Sequence, residues 1–414
     1  MIFLLFLLLF IIGAPIYSLI AGMTLTSYSE TEIPLVVIIL EFFNMSNIPM
    51  LLALPLFTLT GYLLAKSEAP KRLIYFSSTF FKLIPNNLIF LSLFLAIFFG
   101  AITGSSGITI IAFGSLVYSL LNDRFSDNYL YGFITTSGGL GLLFAPSLPM
   151  ILYAIIAEIP VYDFFRFAIM PGTILIFIFY LHSIFLSKGS IQNRDLNIKT
   201  PKNNKNIAMW LEVFLPIAVV IAIYNGLLAI TEIAAFAVLY IFIVEFFISK
   251  DLKKEDLIIA VQESMTLVGA IFIILGLSLA STNLIIDQEI PQLIFEYMSQ
   301  IVGSKFSFYV FLIIFLLLIG AILDIYSAII IVLPILLPLA NLYEVNSIHL
   351  GILFILLMEI GFITPPIGLN LFIASNKFQK SITQIYISTI PFFVILLLFV
   401  LLVAYFPALF LLPH

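Results

Sequence analysis

Long apolar stretches recur along the whole chain and alternate with short polar segments. Residues 2–20, 208–228, 308–323 and 385–405 are examples, and almost none of their side chains is charged. A helix of about 20 apolar residues spans the roughly 30 Å hydrocarbon core of a bilayer. The pattern therefore predicts an all-α polytopic membrane protein.

The composition agrees with that prediction and excludes several kinds of chemistry. Hydrophobic residues make up 63% of the 414 positions and charged residues 9%, and the mean hydropathy is +1.23. A soluble domain of this size would need far more charge on its surface. The chain has no cysteine, and His182, His349 and His414 are far apart in sequence. Disulfides, thiolate metal sites and a histidine metal centre are therefore not expected.

The chain contains two similar stretches at a nearly constant offset. Gly100–Gly104 and Gly320–Asp324 begin 220 positions apart, and each leads through a β-branched segment to a leucine-rich end. A second pair of positions, Pro146 and Pro365, follows at an offset of 219. Two internal repeats are the simplest interpretation of this pattern.

The distribution of basic residues predicts how the two repeats are oriented. A polar linker at 188–206 carries five Lys or Arg side chains, so we place it in the cytoplasm. Lys66–Arg72 contributes basic residues to the first repeat, 1–187, whereas the matching stretch 287–291 of the second repeat, 207–414, has none. The repeats are therefore predicted to have inverted topology.

Each repeat is predicted to contain a re-entrant helical hairpin and a broken transmembrane helix. The hairpins lie near 88–121 and near 306–340, and the broken helices lie near 128–157 and near 349–375. Gly, Ser, Asp and Pro residues interrupt the apolar pattern in these segments. Irregular backbone at membrane depth is tolerated only where protein or a water-filled cavity satisfies its polar groups. The interruptions therefore indicate buried polar sites.

Broken helices expose carbonyl oxygens and half-helix ends, which can bind a small cation without a buried formal charge. Anionic substrate groups would instead use half-helix N-termini and free N–H groups. The candidate cation-binding residues are Thr103, Gly104, Ser105, Gly139, Gly141, Asp324, Thr364, Pro365 and Asn370. The candidate substrate-binding residues are Ser106, Thr109, Ser137, Ser147 and Ser327. The alternative is that Gly and Ser only permit close helix packing at these positions.

Acidic residues within apolar stretches have two interpretations. Asp324 lies at the predicted tip of the second hairpin, where a charge is costly unless it faces a cation or water. Glu359 precedes the second broken helix and could instead be a structural acceptor for helix N–H groups. Glu212, Glu232 and Glu245 lie near the ends of predicted spans, and we expect them at the membrane interface.

Enzymatic functions find little support in the sequence. No glycine-rich phosphate loop ending in Lys-Ser or Lys-Thr is present, which argues against direct ATP coupling by this chain. An intramembrane aspartyl protease needs two membrane aspartates, and only Asp324 qualifies. A serine protease would need a histidine near Ser105, and the nearest one in sequence is His182. We therefore expect a protein that is not an enzyme.

Several motifs resemble the large membrane subunit of tripartite ATP-independent periplasmic (TRAP) transporters over nearly the whole chain. The most specific is Gly361–Leu371, supported by Leu323-Asp324, by Gly104–Ser106 and by Gly139–Leu143. One departure is Ala145-Pro146-Ser147, where the family usually has Pro-Pro-Ser.

The resemblance implies a sodium-driven, elevator-type importer of organic acids in the bacterial inner membrane. It also implies two partners, a small four-helix membrane subunit and a periplasmic substrate-binding protein. The expected contacts are thus Na⁺, an organic acid, these two proteins and lipid, and no nucleic acid. Two alternatives stay open: a sodium/dicarboxylate symporter that needs no binding protein, and a non-transporting membrane scaffold.

Overall fold

The computed structural model describes residue 9 and residues 16–31, 33–80, 87–187, 203–299 and 302–409. Every regular element within these ranges is helical. Most of the linker predicted at 188–206 lies outside the described residues.

The described residues before position 188 form helices α1 to α9. These are α1 (Ile16–Glu30), α2 (Val36–Ser46), α3 (Ala53–Lys66), α4 (Ala69–Phe80), α5 (Asn87–Thr103), α6 (Ser106–Leu121), α7 (Asp127–Ser137), α8 (Leu148–Ile156) and α9 (Val161–Leu186). A short 3₁₀ helix, Pro49–Leu52, precedes α3, and another, Leu140–Leu143, lies between α7 and α8.

The described residues after position 202 form helices α10 to α18. These are α10 (Asn203–Tyr224), α11 (Ile230–Phe242), α12 (Lys254–Asp287), α13 (Ile290–Ser299), α14 (Lys305–Ile322), α15 (Ile325–Leu342), α16 (Ser347–Gly361), α17 (Leu369–Phe378) and α18 (Ile382–Tyr405). A π-helical turn, Ile243–Ile248, extends α11, and a short 3₁₀ helix, Pro407–Leu409, follows α18.

Eight of the helices in the described residues are long and apolar enough to cross a membrane. The bent pair Asp127–Leu143 and Leu148–Ile156, with an angle of 46°, would make a ninth crossing. These helices confirm the prediction of an all-α polytopic membrane protein. The inverted topology of the two repeats and the re-entrant course of the two hairpins stay predictions.

In each predicted hairpin only two residues separate the two helices, α5 from α6 and α14 from α15. Gly104 lies between α5 and α6 with a φ of +63°, in the left-handed region that glycine adopts without strain. Ser105 then caps α6, because its hydroxyl accepts a hydrogen bond from the backbone N–H of Ile108 at 3.3 Å. In the second half, Leu323 and Asp324 are extended between α14 and α15. Both interruptions follow from local chemistry that ends one helix and starts the next.

Two glycine pairs bring backbones into direct contact at equivalent places in the two halves. A Cβ added to Gly141 would lie 2.6 Å from the Cα of Gly100, and a Cβ added to Gly361 would lie 2.5 Å from the Cα of Gly320. The first pair joins α5 to the break between α7 and α8, and the second joins α14 to the end of α16. Each hairpin therefore packs directly against the helix break of its own half. This backbone contact leaves no room for a side chain at Gly141 or Gly361.

The remaining helices form a second packing group. α3 packs against α11 and α12, and the N-terminal helices α1 and α2 pack against α12. The Tyr28 hydroxyl of α1 donates a 2.9 Å hydrogen bond to the backbone carbonyl of Ala280 in α12. This group joins elements from both halves of the chain.

A buried ionic cluster connects α4 of the first half to α10 and α11 of the second. The Arg72 guanidinium contacts three carboxylates, those of Glu212, Glu245 and Asp251. Its Nε lies 2.7 Å from Oε1 of Glu212, and its Nη2 lies 2.9 Å from Oε2 of Glu245. Arg72 is 3% exposed, and Glu212 and Glu245 are fully buried.

Glu212 and Glu245 are buried inside the protein rather than exposed on its surface, and their place at the level of the membrane interface stays a prediction. Their partner, Arg72, lies 140 and 173 positions earlier, so no local pattern marks the pairing. Burial by itself lowers the pKa of Arg72, but its hydrogen bonds and charge interactions with the three carboxylates outweigh that effect. The net pKa of Arg72 is raised, and its side chain stays charged.

Candidate functional site

The tip of the first hairpin gathers four of the candidate residues. The Thr103 hydroxyl donates to the Phe99 carbonyl at 2.7 Å, and its oxygen lies 3.3 Å from the hydroxyl oxygen of Thr109. The Thr109 hydroxyl donates to the backbone carbonyl of Ser105 at 2.7 Å. Together with Gly104 they form a compact, oxygen-rich turn. Their assignment to a cation or to substrate stays a prediction.

Asp324 caps the second hairpin helix from its N-terminal end. One carboxylate oxygen accepts hydrogen bonds from the backbone N–H groups of Tyr326 and Ser327, at 3.0 and 3.1 Å. The other accepts from the Ser327 hydroxyl at 2.5 Å. These donors and the positive end of α15 stabilise the charge of Asp324. An N-cap is thus one established role of this carboxylate in the structure, beside its predicted role in cation binding.

The first helix break buries the candidate residues that surround it. Ser137 is the last residue of α7, Gly139 and Gly141 follow in the break, and Ser147 precedes α8. The backbone N–H of Gly139 donates to the Thr136 carbonyl at 3.2 Å. The hydroxyl oxygens of Ser147 and Thr136 are buried without a hydrogen-bond partner.

The second helix break lies between α16 and α17. The Thr364 hydroxyl donates to the Ile360 carbonyl at 2.7 Å, and Pro365 is joined to Pro366 by a cis peptide bond. The backbone N–H groups of Ile367 and Gly368 donate to the Ala321 carbonyl near the end of α14, at 3.2 and 3.1 Å. The second hairpin and the second break are therefore held together by backbone hydrogen bonds.

Direct hydrogen bonds also join the two halves at this level. The Ser106 hydroxyl of the first hairpin donates to the side-chain carbonyl of Asn370 in α17 at 2.7 Å. The Tyr326 hydroxyl of the second hairpin donates to the backbone carbonyl of Gly104 at 2.8 Å. Both hairpin tips and the second break therefore meet in one region. Within the described residues, no direct side-chain hydrogen bond joins Asp324 to Thr364.

Sequence reasoning missed one residue of this region, Tyr326, and did not predict the surroundings of a second, Glu359. Tyr326 was not singled out, because an aromatic residue after a helix cap looks like ordinary core packing. Glu359 was singled out, but its position against the first break was not foreseen. A Cβ added to Gly139 would lie only 3.2 Å from its Cγ. Such a contact between α16 and the first break depends on tertiary structure alone.

A cavity of about 460 Å³ lies elsewhere, where the two halves meet near the end of α8. Met50, Ile155, Glu158, Ile230 and Thr231 are among the residues that line it. None of the candidate site residues does so. The cavity is mostly apolar and offers no cluster of oxygen ligands, so the hairpin tips remain the better candidate site.

The oxygen atoms of the hairpin tips suit a hard, monovalent cation. Hydroxyl, amide and backbone oxygens lie at the first tip, and the second tip has the carboxylate of Asp324. No group of three or more His, Cys, Asp or Glu side chains arranged to hold a metal ion occurs in the described part of the chain. Oxygen ligands of this kind favour hard cations over soft transition metals.

The arrangement of helices is similar to that of a solved protein. It matches the crystal structure of the Alcanivorax borkumensis YdaH transporter with a TM-score of 0.63, covering 89% of this chain and 86% of that one. The two sequences are 12% identical over the match, so the likeness shows the fold alone.

The family model described as the DctM component of tripartite ATP-independent periplasmic transporters matches residues 3–409. The chain therefore belongs to this family, which confirms the resemblance noted in its motifs. Family membership and the eight apolar helices identify a multi-pass protein of the inner membrane.

Curated relatives cover most of the chain. The C4-dicarboxylate TRAP transporter large permease protein DctM of Rhodobacter capsulatus is 29% identical, and the match covers 97% of this chain and 95% of that protein. The sialic acid TRAP transporter large permease protein SiaM of Vibrio cholerae is 23% identical over 86% of this chain and 84% of that protein.

A third relative is longer than this chain. The isethionate TRAP transporter permease protein DctMQ of Oleidesulfovibrio alaskensis is 27% identical, and the match covers 97% of this chain and 64% of the relative. This chain thus spans less than two thirds of that protein's length. All three relatives are transporter permeases by name and none is named as an enzyme.

Proposed function

We propose that this protein is the large membrane subunit of a sodium-coupled transporter that imports an organic acid. Relatives named for C4-dicarboxylate, sialic acid and isethionate support an acidic organic substrate. Residues 138–147 and 362–368, which form the two helix breaks, include no basic side chain. This suits a substrate held by hydroxyl and N–H groups, with a co-transported cation supplying positive charge.

The observation that carries the proposal is the meeting of the two hairpin tips with the second helix break. Ser106 bonds to Asn370 and Tyr326 bonds to Gly104, each across the two halves. Oxygen ligands from separate segments can bind a cation whose occupancy depends on how those segments are arranged. That dependence is the physical basis of coupling between an ion and a conformational state.

The equivalent glycine contacts support an internal two-fold relation and a moving unit. Gly100 and Gly320 are 220 positions apart, as are their partners Gly141 and Gly361. We infer two inverted repeats in which each hairpin and its break move as one body. The packing group of α3, α11 and α12 would serve as the scaffold of an elevator-type movement.

The proposed transporter works with a small membrane subunit and a periplasmic binding protein. The family description itself names a tripartite and periplasmic transporter. The extra length of the isethionate relative leaves room for a second component within one chain. In this scheme the binding protein selects the substrate and delivers it to the outer face.

Uptake into proteoliposomes tests sodium coupling. With the small subunit and the binding protein supplied, uptake should follow an inward sodium gradient. Equal uptake in sodium-free buffer with only a proton gradient would contradict the proposal. Omitting the binding protein should abolish uptake, whereas undiminished uptake without it would favour the symporter that needs no binding protein.

A single substitution tests the role of Asp324. Asp324→Asn keeps the helix cap, because asparagine is as good an N-cap as aspartate. The change should leave protein abundance near wild type and weaken sodium affinity about tenfold, or about 1.4 kcal/mol. Thr173→Ala, which alters an exposed hydroxyl on α9, is a control and should change neither. Normal sodium dependence in Asp324→Asn would show that the carboxylate acts only as a cap.

A further inference from the structure

A second cavity, of about 420 Å³, lies between the beginning of α9 and the end of α10. It is lined by Tyr162, Arg166, Ile169, Met170 and Tyr224. Along α9 the two polar residues come first, and the two apolar residues follow about one helical turn later. The cavity therefore combines a cationic, hydroxyl-bearing end with an apolar end. None of the candidate cation-binding or substrate-binding residues lines it.

Arg166 is an exposed cation that the described part of the chain leaves unpaired. Its guanidinium forms no ion pair or hydrogen bond with any described residue. Asp163 lies one turn earlier on the same helix, yet the two side chains do not form a salt bridge. The planar fork of a guanidinium matches the oxygens of a phosphate group. The polar end of the cavity is therefore suited to an anionic phosphate.

The length of α9 places Arg166 near the surface of the bilayer. The helix has 26 residues and is about 39 Å long, whereas the hydrocarbon core is about 30 Å thick. The difference of about 9 Å lets the first turns, Val161–Arg166, lie among lipid headgroups. α9 ends at Leu186, next to the linker that we predict to be cytoplasmic, so its beginning is predicted at the outer face. Arg and Tyr side chains are well suited to this interfacial layer.

An exposed stripe continues from the cavity along α9 towards the other side of the membrane. Met170, Thr173, Phe177 and Leu181 follow Arg166 at spacings of three or four residues, which places them on one face of the helix. Phe177 is 58% exposed, and Leu181 is exposed as well. The stripe extends about three helical turns beyond Met170 and is long enough to contact an acyl chain.

We propose that this cavity binds one anionic phospholipid of the outer leaflet, such as phosphatidylglycerol. Arg166 binds the phosphodiester, and the Tyr162 hydroxyl donates a hydrogen bond to it. An acyl chain lies against Ile169 and Met170 and continues along the exposed stripe. This assignment does not depend on sodium coupling or on the identity of the transported acid.

A lipid fits the site better than a free anion or an acidic protein surface does. A free phosphate would use Arg166 and Tyr162 but would leave Ile169 and Met170 facing water. An acidic patch of a periplasmic protein could reach Arg166, but it could not follow the stripe into the hydrocarbon core. A phospholipid matches both ends of the cavity, because its phosphate and its acyl chain are joined in one molecule.

A lipid in this cavity would bridge two groups of helices. α9 packs against α5, α8, α16 and the 3₁₀ helix of the first break, whereas α10 packs against α4 and α11. The Tyr224 hydroxyl of α10 donates to the Phe165 carbonyl of α9 at 3.3 Å, so the two helices touch directly beside the cavity. A lipid that contacts both helices should hold them together and raise the thermal midpoint of the protein.

Native mass spectrometry of the purified chain with added phosphatidylglycerol tests the site. Wild type should retain one phosphatidylglycerol more tightly than phosphatidylcholine. Arg166→Gln should weaken that binding about tenfold, because hydrogen bonds to charged groups contribute at least that much. Lys305→Gln is the matched control, since it also removes an exposed positive charge but one that lies outside the cavity and bonds to the Glu344 carbonyl. Equal retention by wild type and Arg166→Gln would overturn the proposal.

Two further variants keep the test independent of the folding of Arg166→Gln. Arg166→Lys keeps the charge but loses the planar fork, so its affinity should lie between those of wild type and Arg166→Gln. Tyr162→Phe removes only a hydroxyl group and should weaken binding about threefold, as expected for one hydrogen bond. Unchanged retention of phosphatidylglycerol in both variants would overturn the assignment of the phosphate to these side chains.

Thermal midpoints distinguish the lipid from other anionic ligands. Phosphatidylglycerol should raise the midpoint of wild type more than that of Arg166→Gln, and glycerol 3-phosphate at the same concentration should raise neither. An equal rise with glycerol 3-phosphate would show a plain anion site, which overturns the lipid assignment. Loss of binding to the periplasmic binding protein in Arg166→Gln, with normal lipid retention, would show a protein interface and would overturn it too.

Discussion

Two regions of the molecule bury acidic side chains, and they do so in opposite ways. In the first, the carboxylates of Glu212, Glu245 and Asp251 surround the guanidinium of Arg72. In the second, Glu359 has neither an ion pair nor a hydrogen bond. Both regions are shielded from water and both join one half of the chain to the other. The presence of a fixed partner is what distinguishes them.

The difference separates a structural charge from a candidate functional one. Breaking a buried ion pair leaves an uncompensated charge, so a cluster with a fixed arginine is suited to holding helices in one arrangement. A carboxyl without a partner holds nothing in place, and its state depends on what binds to it. Four substitutions sharpen this comparison, and they are given from the largest expected effect to the smallest.

Removing Arg72 should have the largest effect. Arg72→Ala leaves the cluster carboxylates without their arginine, and breaking a buried pair in this way costs about 3–5 kcal/mol. We expect little folded protein and a strongly lowered thermal midpoint in detergent. Lys71→Ala is the matched control, because Lys71 pairs with Glu68 on the surface, where such pairs contribute about 0–1 kcal/mol. Equal stability of the two variants would show that the cluster holds nothing together.

Removing one carboxylate of the cluster should have a smaller effect. Glu245→Gln keeps the shape of the side chain but weakens its hydrogen bonds from Arg72 and from the Ser249 hydroxyl. Hydrogen bonds to charged groups contribute about 1.5–3 kcal/mol, and we expect a loss of that size in thermal stability. Glu344→Gln, at an exposed position, should change stability little. A loss no larger than that of the control would contradict the structural role.

A neutral hydrogen bond at the hairpin tips should give an intermediate value. Ser106→Ala removes the bond to Asn370, and such bonds contribute about 0.5–1.5 kcal/mol. Ser115→Ala, on the exposed face of the same helix, is the control. Thermal stability and substrate uptake should be measured together, since we expect uptake to fall more than stability does. A loss of stability with normal uptake would make this bond purely structural.

Replacing the carboxyl group of Glu359 with an amide should have the smallest effect on stability. Glu359→Gln loses no hydrogen bond, so its thermal midpoint should stay within about 1 kcal/mol of wild type. The contrast with Glu245→Gln is the direct test of the comparison, because both changes convert a buried glutamate to glutamine. A loss as large as that of Glu245→Gln would mean that Glu359 has a fixed partner after all.

Local sequence patterns predicted the membrane class and the family, but the buried charges lay beyond their reach. Apolar run length and the motif around Gly361–Leu371 are local properties, so they could be recognised in one sequence. Asp324 could be singled out because a charge stands alone between two apolar helices. Its role as a helix cap is equally local.

Long-range partners could not be predicted in the same way. Arg72 looked like one more cytoplasmic basic residue, and its partners lie up to 179 positions away. The contact of Glu359 with Gly139 spans the two halves, and it follows from how the helix breaks pack against each other. Pairing between distant segments is set by the tertiary structure, and a single sequence read by itself contains no signal of it.

The ionic cluster also has a consequence for how the protein is made. Arg72 is synthesised 140 residues before Glu212, and Glu245 and Asp251 come later still. At a translation rate of about 5–20 residues per second, the arginine waits on the order of ten seconds for its first partner. During that time α4 remains where its charge can contact water or lipid headgroups. The buried position of Arg72 can therefore be reached only after these partners of the second half have been synthesised.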